Sequence, residues 1–210
     1  MEEKRYYEKI EVSEPAEKLA RMFINKGFKI YLVGGGVRDY YLGRDSADHD
    51  FLTEANTEDM IGVLKENGIS YDDTFICHHF VKANVDGEII DLLSVDLRGG
   101  FEQDLRRRDL TINALAYDME EGCVIDILGG VEDIRNKILR YANPEPNKRE
   151  FMITLRAIRF CLELGFRIDP DTYRLMKENV DCFSEVIAVA MLHEMPKILK
   201  YGEKYFEKNE

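Results

Sequence analysis

Leu32-Val33-Gly34-Gly35-Gly36-Val37-Arg38-Asp39, followed shortly by Asp48-His49-Asp50-Phe51, gives this chain its clearest local pattern. Residues 29–33 are rich in β-formers and predict a short strand. The glycine triplet breaks it, and residues 37–42 predict a short helix. Glycines at a strand-to-helix junction let backbone N–H groups approach a phosphate, and a helix N-terminus favours an anion. Arg38 adds a forked, charge-assisted donor set suited to a triphosphate. A helix-entry loop with a surface arginine is the plainer alternative. The next predicted strand spans 49–53. In extended chain, residues two apart share a side, so Asp48 and Asp50 stand together and His49 turns away. Two carboxylates about 4 Å apart repel by roughly 4 kcal/mol at an intermediate dielectric. Mg²⁺ relieves that repulsion, because it takes carboxylate oxygens and leaves positions for phosphate and water. Two such ions can clamp the attacking and leaving oxygens of a phosphoryl transfer. An isolated Asp-x-Asp also fits a solvated loop.

Outward from this stretch, helical spacing of Leu19, Met22 and Phe23 predicts a helix over 14–26, closed by Gly27. A second helix is expected over 57–67 with Thr57 as N-cap and Glu58 and Asp59 in its first turn. Residues 74–85 and 88–93 read as two strands turned by Asp86-Gly87. Residues 110–117 read as a helix and 124–127 as a strand. Beyond Gly129-Gly130 the pattern is helical over 131–137, 149–164, 170–179 and 185–201, with Asn143-Pro144-Glu145-Pro146 as a linker. The expectation is an α+β protein: a head over 1–141 with a mixed sheet and helices, then an all-helical neck over 142–210.

The chain has 210 residues, 45% hydrophobic and 33% charged, which fits a globular protein with a real core. No apolar run reaches the roughly 18 residues of a membrane span, and residues 1–9 are too charged for a secretory signal. A cytoplasmic location follows by default. Cys77, Cys123, Cys161 and Cys182 are scattered and read as reduced, buried thiols. His78-His79 makes a poor chelating pair, since strand neighbours point to opposite faces. A net charge of −12 argues against a polyanionic partner, yet charge is segregated. Arg106-Arg107-Arg108, Arg135, Lys137, Arg140, Lys148, Arg149, Arg156, Arg159 and Arg167 make the middle of the chain basic. Such a region can face a polyanion, or be an ordinary solvated face.

Asp91, within Ile89-Ile90-Asp91-Leu92-Leu93, is a possible third carboxylate, because an unpaired charge in an apolar run is costly. A strand beside that of Asp50 would let it help deprotonate an acceptor hydroxyl. A place at an edge, or a pairing with an arginine, remains the other reading.

Taken together, the glycine stretch with Leu42-Gly43-Arg44 and Asp48-His49-Asp50-Phe51 resembles the first motif of the class II tRNA nucleotidyltransferase and bacterial poly(A) polymerase family. Arg107-Arg108-Asp109-Leu110-Thr111-Ile112-Asn113-Ala114-Leu115-Ala116 is similar to its second motif. Asp126-Ile127-Leu128-Gly129-Gly130, with Asp133 and Lys137-Ile138-Leu139-Arg140, is similar to its third. Leu155-Arg156-Ala157-Ile158-Arg159-Phe160 with Leu164-Gly165-Phe166 resembles its neck. The resemblance implies a head of polymerase-β type and template-independent transfer of a nucleoside monophosphate from an NTP (ATP, CTP or both) to an RNA 3′ end such as that of tRNA, with release of pyrophosphate. It implies that Asp48 and Asp50 hold two Mg²⁺ ions and that Gly34, Gly35 and Arg38 hold the triphosphate. Arg108, Asp109 and Asn113 would meet ribose and phosphates, and Arg156 and Arg159 would line the pocket from the neck.

The sequence departs from the family where the base is read. The family's Glu-Asp-x-x-Arg element falls on Arg149, Glu150 and Ile153, and an isoleucine donates no hydrogen bond. That argues against ordered choice of C and then A. Transfer to a small molecule or protein, or NTP or RNA binding without catalysis, are the rival readings.

Overall fold

The computed structural model describes residues 3–45, 49–95, 99–143, 151–178 and 192–207. Strand β2 (Ile30–Val33) lies inside the sheet with every residue buried, as expected of an apolar run covered on both faces. It pairs antiparallel with β3 (Asp50–Thr53) and with β7 (Leu115–Asp118). Strand β3 pairs parallel with β6 (Glu88–Ser94), setting Asp50 opposite Asp91. The remaining strands are β1 (Lys4–Tyr6), β4 (Ser70–Asp72), β5 (Phe80–Val85) and β8 (Cys123–Asp126). They complete an eight-stranded mixed sheet in the order β1-β8-β7-β2-β3-β6-β5-β4.

Period-two alternation gives each face its own core. Ile30, Leu32, Phe51, Ile90 and Leu92 pack with Leu19 and Phe23 of helix α1 (Glu14–Asn25) and with Met60 and Leu64 of α3 (Thr57–Glu66). Tyr31, Val33 and Leu52 face the other way, with Leu105 of α4 (Phe101–Arg106). Fully burying one such side chain contributes about 1.5–3 kcal/mol. Ser13 caps α1 by accepting from the Ala16 N–H at 3.2 Å, and Gly27 follows with φ +81°. The short helix α2 (Gly35–Tyr41) follows the glycine turn.

Several expectations need correction. Residues 110–117 do not form a helix; a 3₁₀ turn at Thr111–Asn113 leads into β7. The short apolar run fits either state, and the open edges of β2 and β8 supply ladder partners on both sides. The strand expected over 74–85 starts only at Phe80. Ile76–His78 is a 3₁₀ turn, and His79 breaks the chain at φ +58°. The N-cap of α3 is Asn56, which accepts from the Asp59 N–H at 2.8 Å; the Thr57 hydroxyl meets the His79 ring instead. Cys77 is exposed rather than buried, and Cys182 lies outside the described residues. β1, β4 and α4 carried no recognised signal.

Toward the C-terminus, α5 (Gly130–Arg135) is followed by α6 (Phe151–Leu164), α7 (Pro170–Glu178) and α8 (Met195–Glu207). A two-residue strand β10 (Arg167–Ile168) pairs parallel with β9 (Ile138–Leu139), tying this helical segment back to the preceding chain. Leu155 packs with Met152, Met195 and Ile198 between α6 and α8. The expected linker beyond Asn143, with Arg149 and Glu150, lies outside the described residues, as do residues 185–191 of the helix expected over 185–201. No helix among the described residues is long and apolar enough to cross a membrane.

Candidate active site

Gly34 ends β2 at φ +71°, a region that favours glycine. A Cβ there would stand 2.9 Å from Arg108 Nη1 and 4.0 Å from Asp50 Oδ2. The bare glycine therefore lets a guanidinium and a carboxylate close over the turn. Its own N–H donates to Leu115 O at 3.2 Å, so this position serves by its shape. Arg38, one turn into α2, donates through Nε to Asp39 Oδ1 at 2.9 Å and through Nη1 to Asn113 Oδ1 at 2.8 Å. Asn113 in turn donates to Asp109 Oδ1 at 2.9 Å. The other Asp109 oxygen accepts from Arg156 Nε at 2.6 Å, and the Leu110 N–H donates to Oδ1 at 2.8 Å. Burial alone would raise the Asp109 carboxyl. The Arg156 charge and the donated hydrogen bonds outweigh it and hold the group below the usual carboxylate value.

The helical segment closes the site from the opposite side. Arg159 donates to Glu194 Oε2 at 2.7 Å and to Glu163 Oε2 at 2.6 Å. The Phe160 ring carries three guanidinium groups around it: Arg159 at 3.9 Å, Arg38 at 4.9 Å and Arg156 at 5.9 Å from its centroid. Arg156 thus pairs with Asp109 of the head segment and, at 3.9 Å, with Glu194 of the helical segment, while Arg159 pairs with two acids of the helical segment.

Gly34, Gly35, Arg38, Asp50, Arg108, Asp109, Asn113, Arg156 and Arg159, all singled out from sequence, line one cavity of about 480 Å³. Ile153 and Phe160 also line it. Asp91 stands beside Asp50 on the adjacent parallel strand, on the same face of the sheet. Asp91 itself lines a neighbouring cavity of about 300 Å³, which shares Asp50, Arg107 and Arg108 with the first. Lys82 Nζ lies 3.3 Å from Asp91 Oδ1, so the charged neighbour is a lysine. His49 turns to the opposite face, its Nδ1 2.8 Å from Glu88 Oε1. Asp48 lies outside the described residues.

The donor set tests which ligands fit. Among the described residues no group of three or more His, Cys, Asp or Glu side chains converges on a metal. Asp50 and Asp91 nevertheless offer paired hard oxygens at one edge of the cavity, the chemistry a divalent ion such as Mg²⁺ takes. Arg108 Nε is buried with no hydrogen-bond partner among the described residues. A buried donor of this kind calls for an acceptor, and a phosphate oxygen supplies one. Three participants were missed from sequence: Asp104, which holds Arg108 at 3.2 Å; Glu194, which bridges Arg156 and Arg159; and the Phe160 ring. Phe160 had a readable signal, since Arg156 lies four residues before it on the same helix face.

The family model described as the poly A polymerase head domain matches residues 30–140. The CCA-adding enzyme of Geobacillus stearothermophilus is 35% identical over 187 residues, covering 82% of this chain and 46% of that protein. Poly(A) polymerase I of Escherichia coli O6:H1 is 32% identical over 220 residues, covering 93% of this chain and 47% of that protein. The crystal structure of the Bacillus stearothermophilus CCA-adding enzyme in complex with CTP superposes with a TM-score of 0.80 at 33% identity, covering 90% of this chain and 49% of that one. The chain spans about half the length of the curated relatives it matches.

Proposed function

Because this chain belongs to the poly A polymerase head domain family, we propose that it is a nucleotidyltransferase moving a nucleoside monophosphate from an NTP to the 3′ end of an RNA. The observation that carries the reading is the cavity in which Asp50 meets Gly34, Arg38 and Arg108, with Asp91 in register beside it. In this scheme the guanidinium groups of Arg38 and Arg108 take the triphosphate, and their charge offsets that which develops on the departing pyrophosphate. Asp109, through Asn113 and Arg156, fixes the shape of the wall that meets the ribose. The 3′ oxygen of the acceptor bonds to the α-phosphorus as the bond to the β-phosphate bridging oxygen breaks. Asp91 takes the hydroxyl proton. Asp50, with Asp48, would hold Mg²⁺ ions, which supply Lewis-acid charge to the phosphate oxygens.

The head is assigned to 1–141 and the helical neck to 142–210, a division supported by the sheet ending at Asp126 and by the helices after 151. Ile153 in the cavity wall offers a base no hydrogen bond, so both ATP and CTP are expected to serve. The acceptor is an RNA end such as that of tRNA, met in the cytoplasm.

The test is pyrophosphate release from each NTP with Mg²⁺ and a tRNA lacking its 3′ end. Wild-type protein is expected to release pyrophosphate only with RNA. Asp50→Asn should lower the rate by about a thousandfold or more, the scale of losing a central transition-state contact. Release by Asp50→Asn at near-normal rate would overturn the reading.

A further inference from the structure

The smaller cavity reaches Asp50 from the β5–β6 side and shares Arg107 and Arg108 with the larger one. Its outer wall is unusual for a solvent-facing sheet surface. On β5 and β6 the cross-strand pairs Phe80/Leu93, Lys82/Asp91 and Asn84/Ile89 share one face, while Val81, Ala83, Ile90 and Leu92 fill the core behind. Polar side chains are the norm on such a face. Here Phe80 and Leu93 line the cavity, Phe75 is 49% exposed with its ring 6.1 Å from that of Phe80, and Ile89 is 55% exposed. Lys82 Nζ stands 5.8 Å over the Phe80 ring and 3.3 Å from Asp91.

An aromatic ring, a lysine and an arginine beside a carboxylate have a shared use in single-strand binding. A ring stacks a base whatever its identity, and cations track the backbone. The larger cavity contains the features suited to a triphosphate, so an attacking hydroxyl needs another approach to Asp50 and Asp91. The β5–β6 cavity provides one. We propose that this cavity receives the 3′-terminal nucleotide of the acceptor RNA, with its base stacked on Phe80 and its backbone beside Lys82 and Arg107. The proposal rests on the nucleotidyltransferase reading and names the acceptor side of that site. Stacking rather than hydrogen bonding makes the terminal base of the acceptor a matter of surface, not of sequence.

The experiment uses an RNA oligonucleotide carrying 2-aminopurine at its 3′ end, whose fluorescence falls when the base stacks. It is titrated with wild-type protein, Phe80→Leu and Phe80→Trp, without NTP, so the readout needs no turnover. Phe80→Leu keeps apolar bulk in the sheet and removes the π-face; Phe80→Trp enlarges that face. Quenching by wild type and Phe80→Trp, lost in Phe80→Leu, is expected. In extension assays Phe80→Leu should raise the acceptor KM about tenfold with the NTP KM unchanged. Equal quenching and equal acceptor KM in wild type and Phe80→Leu would overturn the proposal while leaving RNA extension intact. Absence of pyrophosphate release from wild type with every RNA would instead strike the function reading, and the Phe80-dependent quench would still decide whether an RNA end binds here.

Discussion

At the scale of single residues, the glycine-rich third motif shows what its sequence could and could not reveal. Asp126-Ile127-Leu128-Gly129-Gly130 stood out as a pattern, but its job is structural. The buried Asp126 carboxylate accepts from the N–H groups of Leu128, Gly129 and Gly130 on one oxygen and of Val131 on the other, at 2.7–3.1 Å. It caps the start of α5 from within. Gly130 is demanded by proximity: a Cβ would fall 2.2 Å from Thr111 O. Asp126→Ala leaves those donors without an acceptor, each buried unmade hydrogen bond costing about 1–3 kcal/mol. Asp126→Ala is thus expected to lose about 3 kcal/mol or more by denaturant titration, and Asp126→Asn less, since it keeps one acceptor oxygen. Equal stability of wild type and Asp126→Ala would refute the capping role. By contrast Gly34, Arg38 and Asp50 were readable in advance, because one turn and the alternation of one strand suffice to bring their backbones near each other.

At the scale of elements, the sequence yielded what depends on local periodicity and lost what depends on partners. α1, α3, α6 and the β5–β6 hairpin carried their own signals, through helical spacing, first-turn acids and the Asp86-Gly87 turn. β7 did not, because a short apolar run takes its state from the strands it lies between. The packing of α6 on α8 was equally hidden. Glu194, 3% exposed, stands at the junction with Arg159 at 2.7 Å and Arg156 at 3.9 Å. Glu194→Gln removes the anion the two arginines share, leaving Arg159 with Glu163 and Arg156 with Asp109. Breaking one side of such a buried pair costs about 3 kcal/mol. Thermal melts of Glu194→Gln should show a markedly lower midpoint, and Glu194→Gln with Arg159→Met should recover part of it. A midpoint unchanged in Glu194→Gln would mean that the clasp holds nothing together.

At the scale of the whole molecule, the basic middle of the sequence turns out to be answered largely from within. Arg156 meets Asp109, Arg159 meets Glu194 and Glu163, and Arg140 meets Asp133 and Asp169. Such pairings span long stretches of chain, so composition alone could not separate a solvated face from a lined cavity. They also set an acid limit. The folded Asp109 carboxyl is held below its ordinary value of 3.8, so its ionised form stabilises the fold. That contribution is complete above the ordinary value and is lost as pH falls through the lower folded one. The stability gap between wild type and Asp109→Asn should therefore be widest near neutrality and narrow below 3.8, measured by urea titration across acid pH. A gap independent of pH would exclude this linkage. The parallel pairing of β3 with β6 sets the timing of assembly. Asp50 and Asp91 become neighbours only after α3, β4 and β5 have been made and the chain has crossed back, and pairing across such a loop is slow to form. A nascent chain therefore holds Asp50 without Asp91 beside it until β6 has been made and has docked on β3.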